Sequence, residues 1–193
     1  TWLDNIHTLT LRSLRDIDEA LRAKSLSGLR ALYMRPESTE ADYYYDPAVR
    51  YGDVLGYSSW SSQLETIGVS APYHLPMLSQ HREKLSSLEH LAIHLDGPLA
   101  NATLNACIEH LDTLLPHIKR LSLFMRADTD NKYRTRIKKL LDAIGSTPLD
   151  VLDLRGCFAT REDHERLEPS LLKHMKEANV GQQIATLCMD PSM

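Results

Sequence analysis

Nine histidines, three cysteines and a few close acid pairs are the residues of this 193-residue chain that could do chemistry. His90 and His94 stand four apart, the spacing of two zinc ligands on one face of a helix. The apolar rhythm around them (Leu88, Leu91, Ile93) is that of a strand. There, residues four apart share a face but lie about 13 Å from each other. They cannot share one ion, so no metal site is expected. His110 and His117 flank a predicted helix end, where the helix dipole favours a cation. Cys107 reads as core. Cys188 falls on the predicted inner sheet face as a thiol with no activating base in view. Asp150 and Asp153 read as two solvated strand positions. The chain contains no G-x-S-x-G, H-E-x-x-H, G-x-x-x-x-G-K-[ST] or G-x-G-x-x-G. No catalytic residue and no cofactor are therefore expected. An enzyme reading narrows to a hydrolase or transferase site at His90, His94 and Arg120.

The elements that must position these residues follow from a repeat. The spacing apolar-x-x-apolar-x-apolar recurs seven times: Ile6/Leu9/Leu11, Leu29/Leu32/Met34, Leu64/Ile67/Val69, Leu88/Leu91/Ile93, Ile118/Leu121/Leu123, Leu149/Leu152/Leu154 and Ile184/Leu187/Met189. The triplets do not overlap and succeed one another about every 30 residues. Each reads as a short strand with its last two apolar residues on one face. Helical periods follow several of them. These fall at 15–24 (Ile17, Leu21), at 101–115 (Leu104, Ile108, Leu111, Leu115, with Asn101 as N-cap) and at 132–144 (Ile137, Leu140, Leu141, Ile144, with Gly145 as C-cap). The last is at 161–178, with Leu167, Leu171, Leu172 and Met175 inward. Pro169 predicts a kink there, or two shorter helices. Polar residues between the apolar ones favour a sheet with one open face over a barrel or doubly wound sheet, whose strands are apolar throughout.

The chain resembles the leucine-rich-repeat family, in its long strand–helix, ribonuclease-inhibitor-like variety. The unit Leu149-Asp-Val-Leu152-Asp-Leu154-Arg-Gly-Cys157 matches L-x-x-L-x-L-x-x-N/C. The resemblance implies that Cys157 hydrogen-bonds backbone at the turn. The other units carry neither asparagine nor cysteine there; Leu14, Glu37, Pro72, Asp96 and Ser192 occupy the position in five of them. The resemblance implies an α/β solenoid over 1–193, a single array of about seven strand–helix units, with parallel strands on the concave face and helices on the convex face. The stretch Leu115-Pro-His-Ile-Lys-Arg-Leu-Ser-Leu123 is also similar to arrays in F-box substrate adaptors. That implies substrate recognition for ubiquitination, or a host-directed effector, as the alternative function.

Composition limits the partners. Apolar residues make up 42% and charged residues 25%, as in ordinary globular domains. With 22 basic against 26 acidic residues and net charge −4, nucleic acid is not an expected partner. No apolar run reaches membrane-spanning length and no signal peptide is visible. Three scattered cysteines suggest a reducing compartment, hence an intracellular protein, cytoplasmic or nuclear.

The strand register predicts the residues of the open face. One row is Thr8, Ala31, Thr66, His90, Arg120, Val151 and Thr186. The next is Thr10, Tyr33, Gly68, Ala92, Ser122, Asp153 and Cys188. The row past the triplets is Arg12, Arg35, Ser70, His94, Phe124, Arg155 and Asp190. Arginine, histidine and aromatic groups are what interface hot spots use. An aperiodic stretch at 36–62 holds Tyr43, Tyr44, Tyr45, Tyr51, Tyr57 and Trp60 among acidic neighbours, the composition of a binding loop. The expectation is a protein–protein interaction module. It binds through Arg12, Tyr33, Arg35, His90, His94, Arg120, Phe124, Asp153 and Arg155, together with this Tyr-rich insertion.

Overall fold

The structure, a computed structural model, describes residues 5–11, 26–34, 55, 60–70, 75–95, 101–125, 132–145, 147–158, 161–180 and 182–189. The predicted helix at 15–24 and most of the 36–62 insertion lie outside them.

All seven predicted strands form. They are β1 (Thr8–Leu11), β2 (Ala31–Met34), β3 (Thr66–Ser70), β4 (His90–Leu95), β5 (Arg120–Met125), β6 (Leu149–Asp153) and β7 (Ile184–Cys188). They pair in parallel in sequence order as one open sheet. The register sets Leu9, Leu32, Ile67, Leu91, Leu121, Leu152 and Leu187 side by side. Strands β2 to β6 begin in the same way. The carbonyl of the residue after the first triplet position takes two amides from the next unit: His7 from Arg30 and Ala31, Arg30 from Glu65 and Thr66, Glu65 from Glu89 and His90. Glu89 and Lys119 repeat this with Lys119 and Arg120, and with Asp150 and Val151. The shared acceptor fixes where each strand joins its predecessor, and a one-residue slip would turn every apolar side chain to the wrong face.

Four helices are described: α1 (Leu75–Gln80), α2 (Asn101–Leu114), α3 (Lys132–Ile144) and α4 (Arg161–Glu177). Successive helices touch one another, and their inward leucines and isoleucines join the strand residues in a single core. Leu104, Leu111, Ile137, Leu140, Leu141, Leu167 and Leu171 are all at most 3% exposed. Each such side chain contributes about 1.5–3 kcal/mol through burial. The spacing i, i+4, i+7 puts Leu104, Ile108 and Leu111 on one stripe of α2, as the sequence predicts. Gly145 ends α3 with φ +53°, its N–H donating to the Leu141 carbonyl at 3.0 Å. A side chain there would strain the backbone. Asn179 ends α4 in the same left-handed conformation.

Three expectations are corrected. Two shorter helices do not form: α4 is one helix through Pro169, and the proline lies on the exposed side, where water can serve the carbonyl it leaves without a partner. Leu172, expected inward, is 43% exposed, because Leu171 beside it takes the core position and consecutive helical residues diverge by about 100°. Helix α1 was not foreseen, being only six residues long, although Leu75, Met77 and Leu78 bury completely or nearly so.

The units also share a feature that the triplet search missed. A buried leucine stands three residues before the triplet at Leu26, Leu85 and Leu115, where its carbonyl accepts from Leu29, Leu88 and Ile118 to turn the chain into the strand. In the third unit Ser61 takes that place, and Trp60 beside it fills the core.

Candidate functional site

Helices cover one face of the sheet. On the other, the register brings three rows together at the centre. The middle row runs Gly68, Ala92, Ser122 along β3, β4 and β5, and all three are small. Taller side chains flank them: His90 and Arg120 two residues earlier on β4 and β5, His94 and Phe124 two residues later. Tyr33 and Asp153 close the row at its ends. A low floor between high walls makes a depression of about 460 Å³, lined by Tyr33, His90, Ala92, Arg120, Ser122, Phe124, Asp153, Arg155 and Gly156.

The aromatic wall is built on glycines. A Cβ on Gly68 would come 2.3 Å from Cδ1 of Tyr33, and one on Gly156 would come 2.2 Å from Cδ1 of Phe124. Each ring therefore lies over the bare backbone of the neighbouring unit. The other face of Phe124 meets the His94 imidazole, with centroids 4.4 Å apart and planes within 8°. His94 is consequently buried, at 8% exposure.

The polar wall holds two bonded groups side by side. His90 Nε2 lies 2.9 Å from Ser122 Oγ, and its Nδ1 lies 3.5 Å from Thr66 Oγ1. Asp153 accepts from the Arg155 backbone N–H at 3.1 Å and Nε at 3.0 Å on one oxygen, and from Arg155 Nη2 at 2.8 Å on the other. Arg120 Nη2 stands 3.6 Å from the same carboxylate. Burial alone would push the Asp153 carboxyl up. The hydrogen bonds from Arg155 and the charges of Arg155 and Arg120 outweigh it and hold the carboxyl below its ordinary range. The Arg155 guanidinium is correspondingly raised, chiefly by its hydrogen bond to Asp153. Burial, then the positive charge of Arg120, lowers His90 against a smaller opposing pull from Asp153, so the imidazole is neutral at pH 7.

The site thus brings together Tyr33, His90, His94, Arg120, Phe124, Asp153 and Arg155. Two of these differ from expectation. Asp153 is not solvated like Asp150: it is 6% exposed, with both carboxylate oxygens held by Arg155. Arg155 is not on a strand: β6 ends at Asp153, and Arg155 opens a 3-10 turn, Arg155–Cys157, that folds back on it. Trp60, expected at the partner surface, is 2% exposed and belongs to the core. Arg12, Arg35, Tyr43, Tyr44, Tyr45, Tyr51 and Tyr57 lie outside the described residues. Thr66, Ser122, Gly68 and Gly156 complete the site and were not singled out. The register rows already contained the first three, and small size was the signal that could have marked the floor.

Cys157 is fully buried and its Sγ donates to the Leu123 carbonyl of β5 at 3.3 Å. That is a thiol at the turn bonded to the backbone of the preceding strand, where the resemblance implies a bond to the turn backbone.

Ser122 and His90 are within the reach of a nucleophile and its base. Acyl transfer also needs donors for an oxyanion, and the N–H groups of a central paired strand are spent on its ladder. The imidazole is oriented by a hydroxyl and not by a carboxylate. Among the described residues no three His, Cys, Asp or Glu side chains cluster as metal ligands, and no helix is long and apolar enough to cross a membrane.

Fold and site together define a protein with a one-sided, open parallel sheet and a polar–aromatic depression at the centre of its uncovered face. No protein family, no curated protein and no solved structure matches the chain.

Proposed function

We propose that the chain is a divergent leucine-rich-repeat solenoid and that its uncovered sheet face binds a protein partner. The sequential parallel order supports the repeat reading, as does the bond of the Cys157 thiol to the preceding unit. The observation that carries the binding reading is the depression itself. An exposed arginine (Arg120) and two preseated aromatic rings (Tyr33, Phe124) converge on a floor of small residues. Rings fixed before binding lose little entropy on contact, and Tyr and Arg are the residue types that dominate interface energetics.

The test is affinity capture with site-specific crosslinking. A photoreactive phenylalanine analogue at Tyr33 reports contact with the uncovered face, and one at Lys173, exposed on α4, reports the helical face. A partner crosslinked from position 33 and lost on Arg120→Glu is expected. Crosslinking from position 173 alone, or capture indifferent to Arg120→Glu, overturns the reading. Ser122-dependent hydrolysis of p-nitrophenyl acetate would favour an enzyme in its place.

A further inference from the structure

We infer that the central depression takes an acidic peptide segment of the partner, one carboxylate side chain beside Arg120 and an adjoining apolar side chain against Tyr33 and the edge of the Phe124 ring. The inference rests on the binding reading above and names the chemistry of the ligand.

The charges carry it. Among the described residues that line the depression, the charged groups are Arg120, Arg155 and Asp153, two cations against one anion. Arg155 holds both oxygens of Asp153 with three hydrogen bonds, so the aspartate is committed to the turn. Arg120 stands off at 3.6 Å with 44% of its side chain exposed. Its guanidinium is planar and offers paired donors that match a carboxylate. This excess of positive charge sits in a chain whose net charge is −4, so it is a local arrangement and not a reflection of composition.

The shape agrees. A depression of about 460 Å³ lies within the range of about 300–1,000 Å³ that holds a small ligand or a few side chains. The floor residues Ala92 and Ser122 are 2% and 3% exposed, too low to obstruct an incoming chain. Ser122 Oγ and His90 stand beside the arginine as further hydrogen-bonding groups.

His90 supplies a signature. The groups facing it are Thr66 from β3, Arg120 and Ser122 from β5, and Asp153 with Arg155 from β6 and its turn. A second carboxylate among them favours the imidazolium, so binding takes up a proton and tightens as pH falls through the range where His90 titrates.

The experiment titrates uniformly isotope-labelled protein by NMR with Ac-Gly-Glu-Phe-Gly-amide, the matching glutamine peptide and inorganic phosphate. The glutamate peptide should shift resonances of His90, Ala92 and Ser122 and bind at least about ten-fold more tightly than the glutamine peptide. Binding should be tighter at pH 6 than at pH 8 and be lost in Arg120→Gln, whose thermal midpoint verifies that it is folded. Equal binding of the two peptides, shifts confined elsewhere, or indifference to Arg120→Gln overturns the inference. Phosphate binding more tightly than the glutamate peptide also overturns it, in favour of a phosphorylated ligand. Crosslinking from position 33 reads the binding face whatever the ligand's charge. A crosslinked partner with no acidic residue at the contact sinks this inference and leaves the face standing.

Discussion

The buried thiol of Cys157 donates to the backbone carbonyl of Leu123, thirty-four residues earlier and one strand away. It ties the turn after β6 to the strand that precedes it in the sheet. Cys157→Ala removes both the donor and the sulfur's packing, and should cost about 1–3 kcal/mol in urea unfolding. Cys157→Ser keeps a donor and should recover part of the loss. In the native protein iodoacetamide should spare Cys157 and label it only on unfolding, which mass spectrometry reads directly.

Phe124 and Gly156 are a matched pair. Gly156→Ala places a methyl where the Phe124 ring lies, so the ring must leave and the His94 stack is lost. The expected cost is about 0.5–1.5 kcal/mol, the usual worth of an aromatic pair. In a Phe124→Ala background the same glycine substitution should be close to neutral. A double-mutant cycle with no coupling would contradict this seating.

Acid should act on the site in two separate windows. Unfolded, the His90 imidazole titrates near 6.5, and in the fold it titrates lower. As pH falls below that value the unfolded chain takes up the proton first, so stability drops until the folded imidazole protonates as well. Asp153 acts in the same sense but in a lower window. Its folded carboxyl lies below the ordinary 3.8, so its contribution is complete above that pH and is lost as pH falls through the folded value. Unfolding free energies measured from pH 7.5 to 5 should fall less for His90→Gln than for the unaltered chain.

Trp60 should behave as a core residue. Trp60→Ala should destabilise by about 3–5 kcal/mol. Any loss of partner binding should follow the unfolded fraction, with the remaining folded protein binding normally.

The strands, their register and the uncovered face were legible because period two and period 3.6 are direct consequences of strand and helix geometry. Once Leu91 and Ile93 are inward, His90, Ala92 and His94 must lie together on the other side. What escaped the sequence was decided at the ends of elements. Arg155 continues the alternation on paper, but a 3-10 turn at Leu154 takes it off the strand and gives it to Asp153. That contact helps cover an aspartate that the sequence leaves solvated. Trp60 looks like a loop aromatic by its neighbours in sequence. Its burial follows from Ser61 standing where other units have leucine, a substitution visible only after the shared leucine position is known. Gly68 and Gly156 matter for what lies over them, and a single sequence does not say which ring that is.

Each strand meets only the strands before and after it in the chain. Rigidity is therefore handed along the sheet from neighbour to neighbour, and among the described residues no strand pairing joins β1 to β7. Amide protons should exchange fastest in β1 and β7 and slowest in β4 and β5, the strands that carry His90, His94, Arg120 and Phe124. The depression would then lie in the part of the molecule that opens least often, with fraying at the rims leaving it undisturbed.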